Sequence, residues 1–150
     1  MIYLKAFIYS FIASLGFALI FNAPKRSIFP ACLVGGISWV VYEFLQVQNC
    51  NYIFSAFLAA FIIGILGEVF SRWLKNPATL FILPGLIPLV PGAGMYYSMN
   101  YLIAQNYNSF IAVGAKTFFT AVALSIGIVA SSIFSKSLRR VRVRKQDNGL

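Results

Sequence analysis

The chain has 150 residues, 60% of them hydrophobic and only 10% charged, with a mean hydropathy of +0.82. A soluble domain carries about 25% charged residues, so this chain has too few to cover a surface facing water and is an integral membrane protein. The formal net charge of +9 does not point to nucleic acid, because six of the twelve basic residues lie between positions 136 and 145, where a juxtamembrane tail suits anionic lipid head groups. With no histidine and two cysteines, metal sites of the His or Cys type are excluded, as are Ser-His and Cys-His pairs. No metal and no cofactor is implied.

Hydropathy divides the chain into five candidate spans, at 2–21, 28–46, 52–70, 79–103 and 110–134, each near the ~20 residues that a crossing needs. The first resembles a signal peptide, but Ala23-Pro24 is a poor small-residue cleavage site, so it reads as a retained span. Charge tests the count. The first connector carries Lys25 and Arg26, the third carries Arg72 and Lys75, and the tail carries Lys136, Arg139, Arg140, Arg142, Arg144 and Lys145. The second connector (47–51) and the fourth (104–109) carry no charge. Five spans put every basic connector on one side, which makes the N-terminus external and the C-terminus cytoplasmic in a cell membrane. The expected fold is therefore all-α: a polytopic bundle of about five transmembrane helices over 1–135, followed by a basic cytoplasmic tail over 136–150.

Cys32 lies a turn inside the second span and Cys50 in the second connector. About 27 Å of helix separates them at 1.5 Å per residue, too far for a disulfide. In the third span Ala56, Ala60 and Gly64 recur every four residues, and Glu68 and Arg72 continue the row. Small residues at this spacing let a second helix approach closely, and Thr117, Ala121 and Ser125 form a comparable row in the fifth span.

Three ionisable residues fall inside the spans, where a charge at depth costs at least ~2.5–3.5 kcal/mol: Glu43, Glu68 and Lys116. Glu68 precedes Arg72 by one turn and reads either as an interfacial ion pair or as a gating element. Glu43 and Lys116 lie at similar depths near the external side. They either face each other across the second and fifth spans or snorkel to the surface. A carboxylate at depth can carry a coupled proton, since desolvation favours its neutral form.

The fourth span holds the strongest signal. Between Leu83 and Gly94 it contains three prolines and three glycines, with Pro91-Gly92 near the centre. Proline removes a backbone donor and clashes with the preceding turn, so a continuous helix is expected to break there. Broken backbone at membrane depth is tolerated only where protein or a water-filled cavity covers it, and transporters place solutes at such breaks. A half-helix restarting beyond the break would aim unpaired N–H groups at a carboxylate. Pro88, Pro91, Gly92, Gly94, Tyr96, Tyr97 and Asn100 are the expected substrate-binding residues, with Glu43, Glu68, Arg72 and Lys116 for coupling or gating. A proline-kinked packing helix is the bland alternative.

At these residues the chain resembles the threonine/serine exporters, and more closely the short bacterial subunit that matches the second membrane domain of the full-length exporter. The matching elements are Gly16-Phe17, Asn22-Ala23-Pro24-Lys25-Arg26, Gly35-Gly36 with Trp39, Glu68, Ser71-Arg72-Trp73 leading to Pro77, and Ile87-Pro88-Leu89-Val90-Pro91-Gly92 followed by Tyr96. The resemblance covers nearly all of the chain except the basic tail. It implies a secondary exporter of a small carboxylate metabolite: threonine and serine, or a dicarboxylate such as succinate in the split two-gene form. It also implies a partner, a larger membrane subunit carrying the first exporter domain, which agrees with an odd five-span bundle being half of something larger. The resemblance gives no roles to individual residues. A structural or assembly subunit that only scaffolds a partner is the second reading. A membrane-embedded enzyme lacks a clustered acid–base set, and a holin-like pore has only size in its favour.

Overall fold

The computed structural model describes the backbone of residues 2–147 and the side chains of residues 3–137. Among the described residues six α-helices succeed one another in chain order: α1 (Ile2–Ile20), α2 (Lys25–Val47), α3 (Tyr52–Leu74), α4 (Thr79–Leu86), α5 (Gly92–Ile103) and α6 (Tyr107–Asp147). A single 3-10 turn, Ile87–Leu89, extends α4. Helices α1, α2, α3 and the Tyr107–Ser137 part of α6 are each long and apolar enough to cross a membrane. The α4 unit and α5 qualify together, as one span bent by 44°. The helix of α6 continues past that apolar stretch into the basic segment without a break.

Each connector is closed by the same local device. A residue in the left-handed region ends the helix, namely Asn22, Asn49, Lys75 or Gln105, with φ between 51° and 57°. The next N–H then reaches back five residues: Ala23 to Ala18, Cys50 to Leu45, Asn76 to Ser71 and Asn106 to Tyr101, at 2.9–3.2 Å. This pattern satisfies carbonyls that a helix C-terminus otherwise leaves unpaired, and asparagine tolerates the left-handed conformation. Pro24 then precedes α2, and Asn51 caps α3 by accepting from the Ile53 N–H at 3.0 Å. Each connection is therefore only a few residues long and reverses the chain direction. Cys32 and Cys50 are both free thiols.

The best-packed pair is α3 with α6, and its register is parallel. Ala60 of α3 meets Gly127 of α6, Gly64 meets Ser131, and Arg72 donates to Ser135, so both helices ascend together in steps of four or eight residues. Two parallel neighbours require the intervening chain to return across the bundle. Helices α4 and α5 make that return, so the bent pair is one crossing and the odd count is built into the packing. The small-residue row of the third span lies on this seam, with Ala56, Ala60 and Gly64 all buried. Other crossings are as close: Gly35 and Gly36 of α2 lie against Ser14 and Phe7 of α1, and Gly85 of α4 lies against Val34 and the Gly35 backbone. The core between α2, α3, α4 and α6 is correspondingly fine-grained, with alanines around Val34, Ile63 and the fully buried Phe81.

The two ends of the bundle differ. The basic connectors and the start of the basic segment share one end, held by hydrogen bonds between elements. Asn76 donates from Nδ2 to Ser27 Oγ at 2.7 Å, and Arg72 donates to Ser135 Oγ and its carbonyl oxygen at 2.6 and 3.1 Å. The other, neutral end carries the uncharged connectors and, among the described residues, no side-chain hydrogen bond between helices.

The α3–α6 seam is testable by size alone. A methyl at Gly127 would stand 2.6 Å from the Phe57 carbonyl oxygen, an atom that cannot move without the helix. Gly127→Val is expected to cost at least the ~1–3 kcal/mol of an overpacked core and to lower the thermal midpoint in detergent. Gly16→Ala, where the added methyl meets nothing within 4 Å, should leave the midpoint unchanged or raise it.

Candidate substrate site

The break between the 3-10 turn and α5 borders a cavity of about 610 Å³. Its walls are Pro88 to Gly94 of the break, Trp39 and Tyr42 of α2, and Val113, Lys116, Thr117 and Thr120 of α6. Trp39 and Tyr42 stand one turn apart on α2 with ring centroids 5.7 Å from each other. The four α6 residues recur at three, four and seven positions and so form one face of that helix.

The three prolines behave differently from one another. Pro84 is buried inside α4, which continues through it. Pro88 sits in the 3-10 turn, which needs fewer residues per turn and carries the chain another step. Only at Pro91 does the helix stop. Pro91 has φ −75° and ψ 57°, and the Gly92 N–H donates to the Val90 carbonyl at 2.7 Å, which is an inverse γ-turn. Helix α5 starts directly afterwards. The Met95 N–H donates to the Pro91 carbonyl at 3.2 Å, whereas the N–H groups of Ala93 and Gly94 have no acceptor among the described residues. Both residues line the cavity. Two free amides thus stand at the positive end of a 12-residue helix, on the cavity wall.

Of the residues expected to bind substrate, Pro88, Pro91, Gly92 and Gly94 line the cavity. Tyr96, Tyr97 and Asn100 do not; they are exposed on the outer face of α5, the two tyrosines stacked edge to face with centroids 5.5 Å apart. The face of α5 that packs on α6 is the Gly94–Ser98 row, against Thr117 and Gly114, and at 3.6 residues per turn Tyr96, Tyr97 and Asn100 all fall off that row. Trp39, Tyr42, Thr117 and Thr120 join the site without standing out as ligands in the sequence. The signal available for the threonines is the polar stripe Lys116-Thr117-Thr120 on α6; the α2 pair has none beyond its spacing.

The ionisable residues separate into two groups. Glu68 and Arg72 pair at 3.6 Å at the basic end, away from the cavity. There Arg72 also holds Ser135, so one guanidinium links a carboxylate of α3 to a hydroxyl of α6 across the seam. At the neutral end Lys116 lies on the cavity wall with its ammonium 5.2 Å from the centroid of the Tyr52 ring. Glu43 is half-buried beside Tyr42. No ion pair joins it to Lys116, so the expectation that the two charges face each other gives way to a lysine held by an aromatic face. Helices α2 and α6 are not packed partners, which is why the two charges do not meet.

A helical bundle whose fourth span is interrupted beside a cavity is a construction that membrane transport proteins use. A family model described as Threonine/Serine exporter, ThrE, matches residues 6–134, and the chain belongs to that family. It is thus a multi-pass membrane protein of an exporter family, and no solved structure matches it.

The contact between the break and α6 predicts a compensating pair. A methyl on Gly94 would overlap the Thr117 hydroxyl, which otherwise only donates to the Val113 carbonyl at 2.7 Å. Gly94→Ala should lower the thermal midpoint, and Gly94→Ala with Thr117→Ala should recover most of the loss. Additive effects in that double-mutant cycle would show that the two residues do not touch.

Proposed function

We propose that this chain is the small subunit of a secondary exporter that passes threonine, serine or a dicarboxylate such as succinate through the cavity beside Pro91. The observation carrying this reading is the convergence of three positive groups on one cavity: the unpaired N–H groups of Ala93 and Gly94 and the ammonium of Lys116. Each attracts a carboxylate, and no acidic side chain is among the lining residues. Thr117, Thr120 and Tyr42 add hydroxyls suited to a small polar solute. The two threonine hydroxyls already donate to the carbonyls of Val113 and Lys116, so they offer acceptor lone pairs to the cavity.

In this reading the neutral end faces outward and the basic end the cytoplasm, in keeping with the positive-inside rule. Transport is driven by protons, with Glu43 as carrier because it is half-buried next to the cavity residue Tyr42. The Glu68–Arg72–Ser135 cluster acts as the cytoplasmic gate. A larger membrane subunit carrying the first exporter domain completes the pathway, and the basic segment engages anionic lipid.

Gly92 tests the transport role against a scaffold role. A Cβ there meets nothing within 4 Å, so a larger side chain can be added at the cavity wall without disturbing the packing. Gly92→Leu is expected to abolish efflux while the chain still co-purifies with its partner. Lys116→Met should raise the KM for the carboxylate substrate by about tenfold or more, as loss of a charge-assisted bond does. Normal efflux by both variants would leave only the scaffold reading.

A further inference from the structure

We infer that Tyr52 is the positioning residue for Lys116: its ring holds the ammonium at the cavity rim and thereby sets the affinity for the carboxylate. The inference rests on the carboxylate-binding reading of the cavity. Tyr52 does not line the cavity, so it acts only through Lys116. It is the first residue of α3, fixed in place by the Asn51 side chain, which accepts from the Ile53 N–H at 3.0 Å. Lys116 stands on α6, the helix that packs most closely against α3. The seam therefore places the ring within reach of the lysine, whose ammonium lies 5.2 Å from the centroid, inside the ~6 Å range of a cation–π contact.

The choice of partner matters chemically. A lysine stem has four rotatable carbons, and immobilising it when substrate binds costs affinity. A carboxylate neighbour would restrain it but would neutralise its charge and compete with the substrate. An aromatic face restrains it by attraction to the ring and takes none of its three donors. The sole ion pair among the described residues is Glu68–Arg72, so no carboxylate performs this task for Lys116. The expected consequence is a lysine held close to the rim with its donors free for a ligand.

The test uses the complex purified from membranes, in a Trp73→Phe background that leaves Trp39 of the cavity wall as the chain's single tryptophan. Trp39 emission is titrated with threonine, serine and succinate, and efflux is measured in parallel. Tyr52→Leu should weaken binding of the responding carboxylate by about three- to tenfold and raise KM equally, with kcat retained. Tyr52→Phe, which keeps the ring, should bind like the parent. In a Lys116→Met background Tyr52→Leu should have no further effect. A Tyr52→Leu variant that binds like the parent, or one that is equally damaging without Lys116, overturns the positioning role and leaves the carboxylate site standing. If Lys116→Met alone binds every carboxylate like the parent, the site reading itself fails and this inference with it.

Discussion

The parallel contact between α3 and α6 is the constraint on which the rest of the structure depends. It is made by residues with almost no side chain, Ala60 and Gly64 against Gly127 and Ser131, so the two backbones approach until an added methyl at Gly127 would reach a carbonyl oxygen. In a membrane the apolar effect does not drive helices together, and association rests on this kind of close van der Waals fit. Once α3 and α6 run side by side in the same direction, the segment between them must cross the bundle, whatever its own helical propensity. That requirement holds a proline-rich stretch inside the protein, where it would not survive as an isolated helix.

The crossing segment meets the requirement in a graded way. Pro84 is absorbed within α4, Pro88 is absorbed by tightening to 3-10 geometry, and Pro91 is not absorbed at all. The result at Pro91 is a new helix start, with two amides that no described residue satisfies. Unpaired amides in hydrocarbon cost several kcal/mol each, so the arrangement is stable only because the cavity can hold water or a solute there. The same α6 face that closes the break, through Thr117 against Gly94, also brings Lys116 to the cavity. The same face of this helix therefore both packs and lines the cavity, and Thr117 does both.

The sequence is legible where one physical rule dominates. Alternation of basic and neutral connectors fits the five crossings, because charge placement follows orientation and little else. The row Ala56, Ala60, Gly64 reads correctly as a packing face, since small residues at four-residue spacing have few other uses in lipid. The break itself is visible in composition, but its surroundings are not. Tyr96, Tyr97 and Asn100 have suitable chemistry and lie close in sequence, yet helical rotation carries them outward, and Trp39 and Tyr42 come from a helix some fifty residues earlier. Pairing Glu43 with Lys116 assumes that equal depth implies contact. Depth is one coordinate; which helices are neighbours is another, and it depends on packing that hydropathy does not encode.

The same packing makes the bundle mechanically uneven. At the basic end, Asn76 to Ser27 and Arg72 to Ser135 join separate elements by hydrogen bonds, one of them charge-assisted. At the neutral end, the described helices are held by van der Waals contact and one cation–aromatic contact. Such bonds resist separation more than a lysine resting on a ring does, so in the proposed transport cycle opening is easiest where the cavity lies. Motion there must also pass through the Pro91 γ-turn, the one point in the crossing span where no helical bond resists bending. If the chain transports as proposed, a bundle clamped at one end, hinged at its middle and loosely held at the other would change access to its cavity without breaking the α3–α6 seam.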